Sequence, residues 1–170
     1  MEELPGGPGC LTRARPQGRT ALEQLLALGS VNEFLCDGEP PPDVAIDAWL
    51  ATADESRPEL GLWMLWDNGV IVGCGRLSEI EAEPGSVELA YLLHPEVWGR
   101  GLATRMSVSL INHAFSFKHI DSVMAGTDGP NIRSIAVMQR LGMQYARSVD
   151  YALGPGVEYR LSRDQWMRAR

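Results

Sequence analysis

Glu88-Leu89-Ala90-Tyr91-Leu92-Leu93-His94-Pro95-Glu96-Val97-Trp98-Gly99-Arg100-Gly101-Leu102-Ala103-Thr104 is the stretch that decides the fold. An apolar run of strand length ends at a proline. Two glycines then open a helical pattern in which Leu102, Met106, Leu110 and Ile111 recur on one face. A helix that starts this way leaves several N–H groups without helical partners, and its dipole adds positive potential at the same end. Gly99 and Gly101 let the main chain approach a pyrophosphate closely, and Arg100 between them adds charge. Three readings of this anion loop compete. A dinucleotide fingerprint needs a glycine where Thr104 stands, and a strand-helix-strand start. A Walker loop needs Gly-Lys-Ser/Thr, which the sequence lacks. An ordinary glycine turn into a helix asks for nothing more.

Upstream, residues 61–66 and 70–77 alternate like strands around Asp67-Asn68-Gly69, whose Asn-Gly pair suits a hairpin turn. Residues 86–94 add a third strand, and residues 99–117 a helix. Downstream, residues 120–126 read as a buried strand. Residues 131–141 read as a helix capped by Asn131 and stopped by Gly142. Residues 143–151 and 157–162 form a closing strand pair around Gly154-Pro155-Gly156. Before the hairpin, Thr20 with Glu23 and Ser30 with Glu33 have capping-box spacing, Gly29 offers a stop, and Asp43 caps a helix carrying Ile46, Trp49, Leu50 and Ala53. Residues 11–15 are short, alternate weakly and are broken by Pro16, so the pattern leaves a first strand open. Helices, then a meander, then strand-helix-strand-helix-strand-strand define an α+β class: a mixed, mostly antiparallel sheet flanked by helices on both faces.

The 170 residues fit one domain, residues 11–170, behind a Gly/Pro-rich segment, residues 1–10, expected to be flexible. With 45% apolar and 22% charged residues, and only short apolar runs, the chain fits neither disorder nor a membrane span. An acidic start without a secretory pattern reads as cytoplasmic. A net charge of −7 argues against nucleic acid as partner. Residues 1–85 hold 15 acids and 5 bases, whereas residues 86–170 hold 7 acids and 10 bases. A basic second half suits a small polyanion, and an acidic first half suits a cationic substrate. Cys10, Cys36 and Cys74 lie far apart and the histidines form no HExxH pattern, so neither a disulfide framework nor a metal site is expected.

Trp98-Gly99-Arg100-Gly101-Leu102-Ala103 resembles the acetyl-CoA-binding motif of the GNAT superfamily of N-acetyltransferases, Gln/Arg-x-x-Gly-x-Gly/Ala, with Trp98 in the first position. The phrase from His94 to Gly101 is similar to the subgroup of ribosomal-protein N-terminal acetyltransferases, the RimJ/RimL type. Asn131-Ile132-Arg133-Ser134 through Leu141-Gly142-Met143 resembles that subgroup's Asn-x-x-Ser helix, with Met143 for the usual Phe. Residues 159–166 look like its last strand and closing helix. The likeness spans residues 20–166, and two ordered motifs are more specific than either alone. Arg105 stands where the subgroup commonly has Glu.

The resemblance implies a sheet splayed to admit acetyl-CoA as co-substrate and acetyl transfer to a primary amine by direct attack in a ternary complex. It favours a protein or peptide N-terminal α-amine. A small amine (amino acid, polyamine or amine-bearing antibiotic) is the alternative, as is a module that binds acyl-CoA without turnover. It also leaves room for a homodimer. Leu92 and Leu93 are expected to offer main-chain groups to the pantetheine arm, Trp98, Gly99, Arg100, Gly101, Leu102, Ala103 and Thr104 to hold the pyrophosphate, and Asn131 to cap its helix and bond the arm. Glu88, in an otherwise apolar strand where desolvation would raise its pKa, is the candidate general base. The Tyr that many relatives use as acid is Met138 here, so Ser134 takes that role on the subgroup's pattern, with Tyr91 as rival donor. Trp49, Trp63 and Trp66 read as packing. Asp37, Glu39 and Asp43 suit a cationic acceptor.

Overall fold

The computed structural model describes residues 3–4, 10–35, 41–51, 57–151 and 154–169. Its centre is the predicted hairpin. β3 (Gly61–Asp67) and β4 (Val70–Glu79) turn at Asn68 and Gly69, whose φ angles of 51° and 79° match the positive values a two-residue hairpin loop requires. β5 (Ser86–Leu93) extends this meander. On the other side β2 (Cys10–Arg13) pairs with β3 and β1 (Glu3–Leu4) with β2, so the short first strand forms. It stops where Pro16 starts a 3₁₀ turn. Of the segment expected to be flexible, Glu3, Leu4 and Cys10 are thus strand residues, and the others lie outside the described residues.

β6 (Ser122–Asp128), β7 (Gln144–Tyr151) and β8 (Gly154–Ser162) complete a sheet of order β1-β2-β3-β4-β5-β6-β8-β7. Every pairing is antiparallel except β5 with β6, and that one is short: Ser86, Val87 and Glu88 pair with Ser122, Val123 and Met124. Beyond Glu88 and Met124 the two strands run on unpaired by each other and open a fork.

Helices cover both faces. α4 (Leu102–Ser116) and α5 (Ile132–Arg140) lie on one, over a core that includes Leu77, Leu89, Leu110, Ile111, Val123 and Met138. α4 comes so close to β4 that a Cβ at Gly75 would stand 2.5 Å from Leu110 Cδ1. α1 (Arg19–Leu26), α2 (Gly29–Asn32) and α3 (Asp43–Ala51) cover the opposite face of β3 and β4 with a smaller core of Leu22, Leu26, Ile46, Leu62, Met64 and Cys74. α6 (Arg163–Arg168) closes the chain with a Ser162–Gln165 capping box.

The two capping boxes expected earlier in the chain do not form. The 3₁₀ turn at Pro16–Gly18 makes Gly18 the cap residue of α1, so Thr20 falls inside the helix and Glu23 binds Arg19 at 2.6 Å instead. Gly29 opens α2 rather than stopping α1, with Leu28 as its cap residue. Asp43 sits in the first turn of α3 as its spacing suggests, while Ala53, Cys36, Asp37 and Glu39 lie outside the described residues. The expected strand of residues 120–126 sits two residues later, and Gly154, Pro155 and Gly156 belong to β8.

Candidate active site

A cavity of about 850 Å³ runs through the fork. Its wall takes Trp49, Cys74, Arg76 and Leu92 from the α1–α3 side of the sheet and Tyr91, Trp98, Asn131 and Ser134 from the α4–α5 side. Two reactants entering from opposite faces would meet where β5 and β6 part.

Main-chain groups at the fork follow from ladder alternation. His94 N–H donates to Val72 O at 2.8 Å, so Leu92 and Ala90 share that orientation toward β4, and Leu89, Tyr91 and Leu93 turn theirs toward the gap. Leu93 therefore has its main-chain groups on the gap side. Leu92 differs: its main chain serves the β4 ladder and its side chain faces the smaller core.

The glycine loop leads into the N-terminus of α4. Gly99 and Gly101 have φ of 75° and 73°, a left-handed geometry that is strained for residues with a Cβ. α4 begins at Leu102, later than expected, and its N-terminus has no side-chain cap. Arg105 N–H makes the first bond back to Gly101 O, which leaves the N–H groups of Leu102, Ala103 and Thr104 without helical partners. Trp98 contributes through its ring, since its own N–H is spent on Pro95 O. The indole Nε1 donates to Leu93 O at 2.8 Å, and Arg133 stacks 4.6 Å above the ring. Arg100 does not charge the site as expected. Its guanidinium reaches Asp67 Oδ2 at 2.8 Å, pinning the loop to the β3–β4 turn. Arg105 is nearer this helix end: its head lies 3.7 Å from where a Gly101 Cβ would stand, and its buried Nε has no hydrogen-bond partner among the described residues.

On α5, Asn131 Oδ1 accepts from Ser134 N–H at 3.2 Å, and its Nδ2 donates to Thr127 Oγ1 at 2.9 Å. The cap expected at Asn131 is therefore present, and one amide hydrogen remains for a ligand. The two rival proton donors form a single unit. Tyr91 hydroxyl and Ser134 Oγ lie 2.8 Å apart, both in the cavity wall. Burial pushes the Tyr91 hydroxyl up to about 12, so it keeps its proton at any neutral pH.

Glu88 stands at the last rung before the fork, on the α1–α3 face. The apolar surroundings expected for it are absent. Its carboxylate accepts from Ser78 Oγ at 3.3 Å, lies 3.9 Å from Arg76, and belongs to a side chain that is 44% exposed. It is not part of the cavity wall. Trp63 and Trp66 pack as expected, but Trp49 lines the cavity with Arg76 held over its ring at 5.2 Å. Sequence reading missed Arg105, Arg133 and Arg140. The last two are a legible signal, seven residues apart on one helix face and both in the wall.

A sheet forked between β5 and β6, with the N-terminus of α4 beside a cavity that reaches both faces, is the fold this chain adopts. Comparison specifies it. The model of the acetyltransferase (GNAT) domain matches residues 10–144, and the chain belongs to that family. It is an acetyltransferase whose co-substrate is acetyl-CoA. Similar solved structures share the fold. RimL, the ribosomal L7/L12 α-N-protein acetyltransferase, in complex with coenzyme A, superposes with TM-score 0.82 at 16% identity, covering 96% of this chain and 99% of that one. The aminoglycoside acetyltransferase AAC(6')-Ib with ribostamycin and coenzyme A gives 0.79 at 18%, covering 94% and 96%. A GNAT-family acetyltransferase from Bacillus anthracis gives 0.78 at 11%, covering 96% and 99%.

Proposed function

We propose that this protein acetylates the primary amine of a protein or peptide N-terminus, in the manner of the RimJ/RimL subgroup, by direct attack within a ternary complex. The cavity that joins the two faces of the sheet at the β5–β6 fork carries this reading. Acetyl-CoA enters from the α4–α5 face. Its pyrophosphate meets the N–H groups from Gly99 to Thr104 and the guanidinium of Arg105, and its pantetheine arm runs along the gap-facing main chain of Tyr91 and Leu93 beside the spare amide hydrogen of Asn131. The amine enters from the α1–α3 face. Glu88, half exposed, takes the ammonium proton through a water. The neutral amine attacks the thioester carbonyl and the carbon–sulfur bond breaks; the thiolate takes the Ser134 hydroxyl proton, Ser134 takes that of Tyr91, and the proton lost from the new amide nitrogen returns to Tyr91 through water. A cytoplasmic location and a homodimer belong to the same reading. A small cationic amine is the second reading, favoured by the carboxylates on the acceptor face.

The test is kinetic. Ser134→Ala and Tyr91→Phe each lower kcat by about a hundredfold, within the range of one general acid, with acetyl-CoA KM unchanged. Because the two hydroxyls form one relay, the double variant is no slower than either single one. Full additivity of the two losses, or native kcat in both variants, overturns the assignment.

A further inference from the structure

On the acceptor side the cavity wall and the sheet around it differ in charge. Glu88, Asp128 and Glu158 stand on β5, β6 and β8, and none of them is in the wall. Asp43, expected to suit a cationic acceptor, is exposed and pairs with Arg19 at 3.4 Å. Among the described residues of the wall Glu33 is the one carboxylate, and it is exposed. The cation on the acceptor side of the wall is Arg76.

The β4–β5 ladder places Arg76. Cys74, Arg76 and Ser78 alternate onto the α1–α3 face of β4, opposite Leu92, Ala90 and Glu88. Ala90 belongs to the wall and carries only a methyl group, which leaves room between Arg76 and the fork. The guanidinium lies over the Trp49 ring, 5.2 Å from its centroid. Its nearest carboxylate among the described residues, Glu88, is 3.9 Å away, beyond hydrogen-bond distance, although the Arg76 side chain is only 25% exposed. Glu88 spends its hydrogen bond on Ser78 instead. A guanidinium that is largely shielded from water, oriented by an aromatic ring and not hydrogen-bonded to an anion presents a rigid fork of N–H donors that matches the two oxygens of a carboxylate. The wall around it is apolar, with Val31, Phe34, Leu35, Leu62 and Leu92.

Resting on the acetyl-transfer reading above, we propose that Arg76, oriented by Trp49, is the specificity subsite for a carboxylate that the acceptor carries beside its amine. The apolar patch takes the side chain on the amine-bearing carbon. The acceptor is thus an apolar α-amino acid, or a peptide with an apolar first residue and an acidic second one. In both, the carboxylate lies within about one residue of the amine. That suits an arginine whose strand is one ladder spacing, about 5 Å, from the strand that borders the fork.

The experiment compares kcat/KM for phenylalanine against phenylalaninamide, and for an amidated peptide with phenylalanine first and glutamate second against the same peptide with glutamine second. The charged member is expected to lead by about tenfold or more, the size of one charge-assisted hydrogen bond, and the pair with the larger ratio identifies the source of the carboxylate. Arg76→Gln brings the KM of the charged acceptor up to that of its uncharged counterpart. Arg76→Lys, a point charge without the planar fork, restores only part of the preference. Equal use of both members by the native enzyme, or a lead by the uncharged one, overturns the subsite, as does an Arg76→Gln loss shared equally by the two. Calorimetric binding of the N-acetylated products, with coenzyme A present, needs no turnover and separates this subsite from the transfer reading. About tenfold weaker binding of N-acetylphenylalanine or of the N-acetylated glutamate peptide to Arg76→Gln supports the subsite even where no amine is acetylated. Unchanged or absent binding rejects it.

Discussion

The two faces of the sheet are built differently, and the difference tracks what each must do. On the α4–α5 face a large core runs unbroken from β3 to β8, and the 15-residue α4 lies in it with Leu110, Ile111 and Ala114 fully buried. That rigidity holds three unpartnered N–H groups and two left-handed glycines at one end of α4. The α1–α3 face is covered by three short helices over a smaller core, which reaches β4 and Leu92 of β5 but includes no residue of β6 or β8. Beyond it this face of the sheet carries the polar side chains of Glu88, Asp128 and Glu158. On the proposed reading, one face fixes a constant ligand and the other leaves polar sheet for a variable one.

The strongest way to break this contrast is to hollow each core in turn. Leu110→Ala and Leu26→Ala each remove a buried leucine, at about 2–5 kcal/mol of stability in chemical denaturation. Their functional effects should diverge. Leu110→Ala loosens the base of α4 and weakens acetyl-CoA binding, while Leu26→Ala leaves acetyl-CoA affinity intact and raises acceptor KM. Equal effects on both ligands would show that the faces are one unit.

Next in size is the loop itself. Gly101 has φ of 73°, and space around it is open apart from Arg105, so a side chain there costs backbone strain rather than a clash. Left-handed geometry costs roughly 1–2 kcal/mol for a residue with a Cβ, and a β-branched one fares worse. Gly101→Val should therefore weaken acetyl-CoA about tenfold by calorimetry, with the acceptor site untouched.

The same contrast explains what the sequence disclosed. The proposed cofactor side was legible because its features are local: Gly99 and Gly101 turn their own backbone, Asn131 caps the next turn, and their spacing is visible in one dimension. The hairpin at Asn68-Gly69 was legible for the same reason. Arg100 misled because its partner Asp67 is distant in sequence and close only across the folded turn. Glu88 misled in another way. Its strand neighbours are apolar, but the residues beside it in space, Ser78 and Arg76, come from β4. Tyr151 was invisible, since its position depends on two glycines on two other strands. The helix starts near Thr20 and Ser30 failed because a proline turn and a leucine set the caps instead.

The smallest effect lies in alkaline stability, and it sharpens the comparison because each face contributes one group. Burial pushes the Cys74 thiol up to about 12 from 9.0, against a lowering by Arg76, and the Tyr91 hydroxyl up to about 12 from 10.0. For an acid whose folded pKa is raised, the stabilising contribution is complete below the unfolded value and is lost as pH climbs toward the folded one. Stability should thus begin to fall near pH 9 through Cys74 and near pH 10 through Tyr91, with both losses spent by about pH 12. Cys74 belongs to the smaller core and Tyr91 packs against the larger one beside the cofactor gap. Cys74→Ala should remove the earlier part of the decline and Tyr91→Phe the later part, read from melting temperatures at successive pH values. Bound acetyl-CoA, which adds stability only to the folded state, should raise the whole curve. It should also delay the Tyr91 part, where the cofactor deepens burial, and leave the shape of the Cys74 part as it was. A ligand that reshaped both parts equally would mean that the cofactor's influence passes through the sheet to the acceptor face.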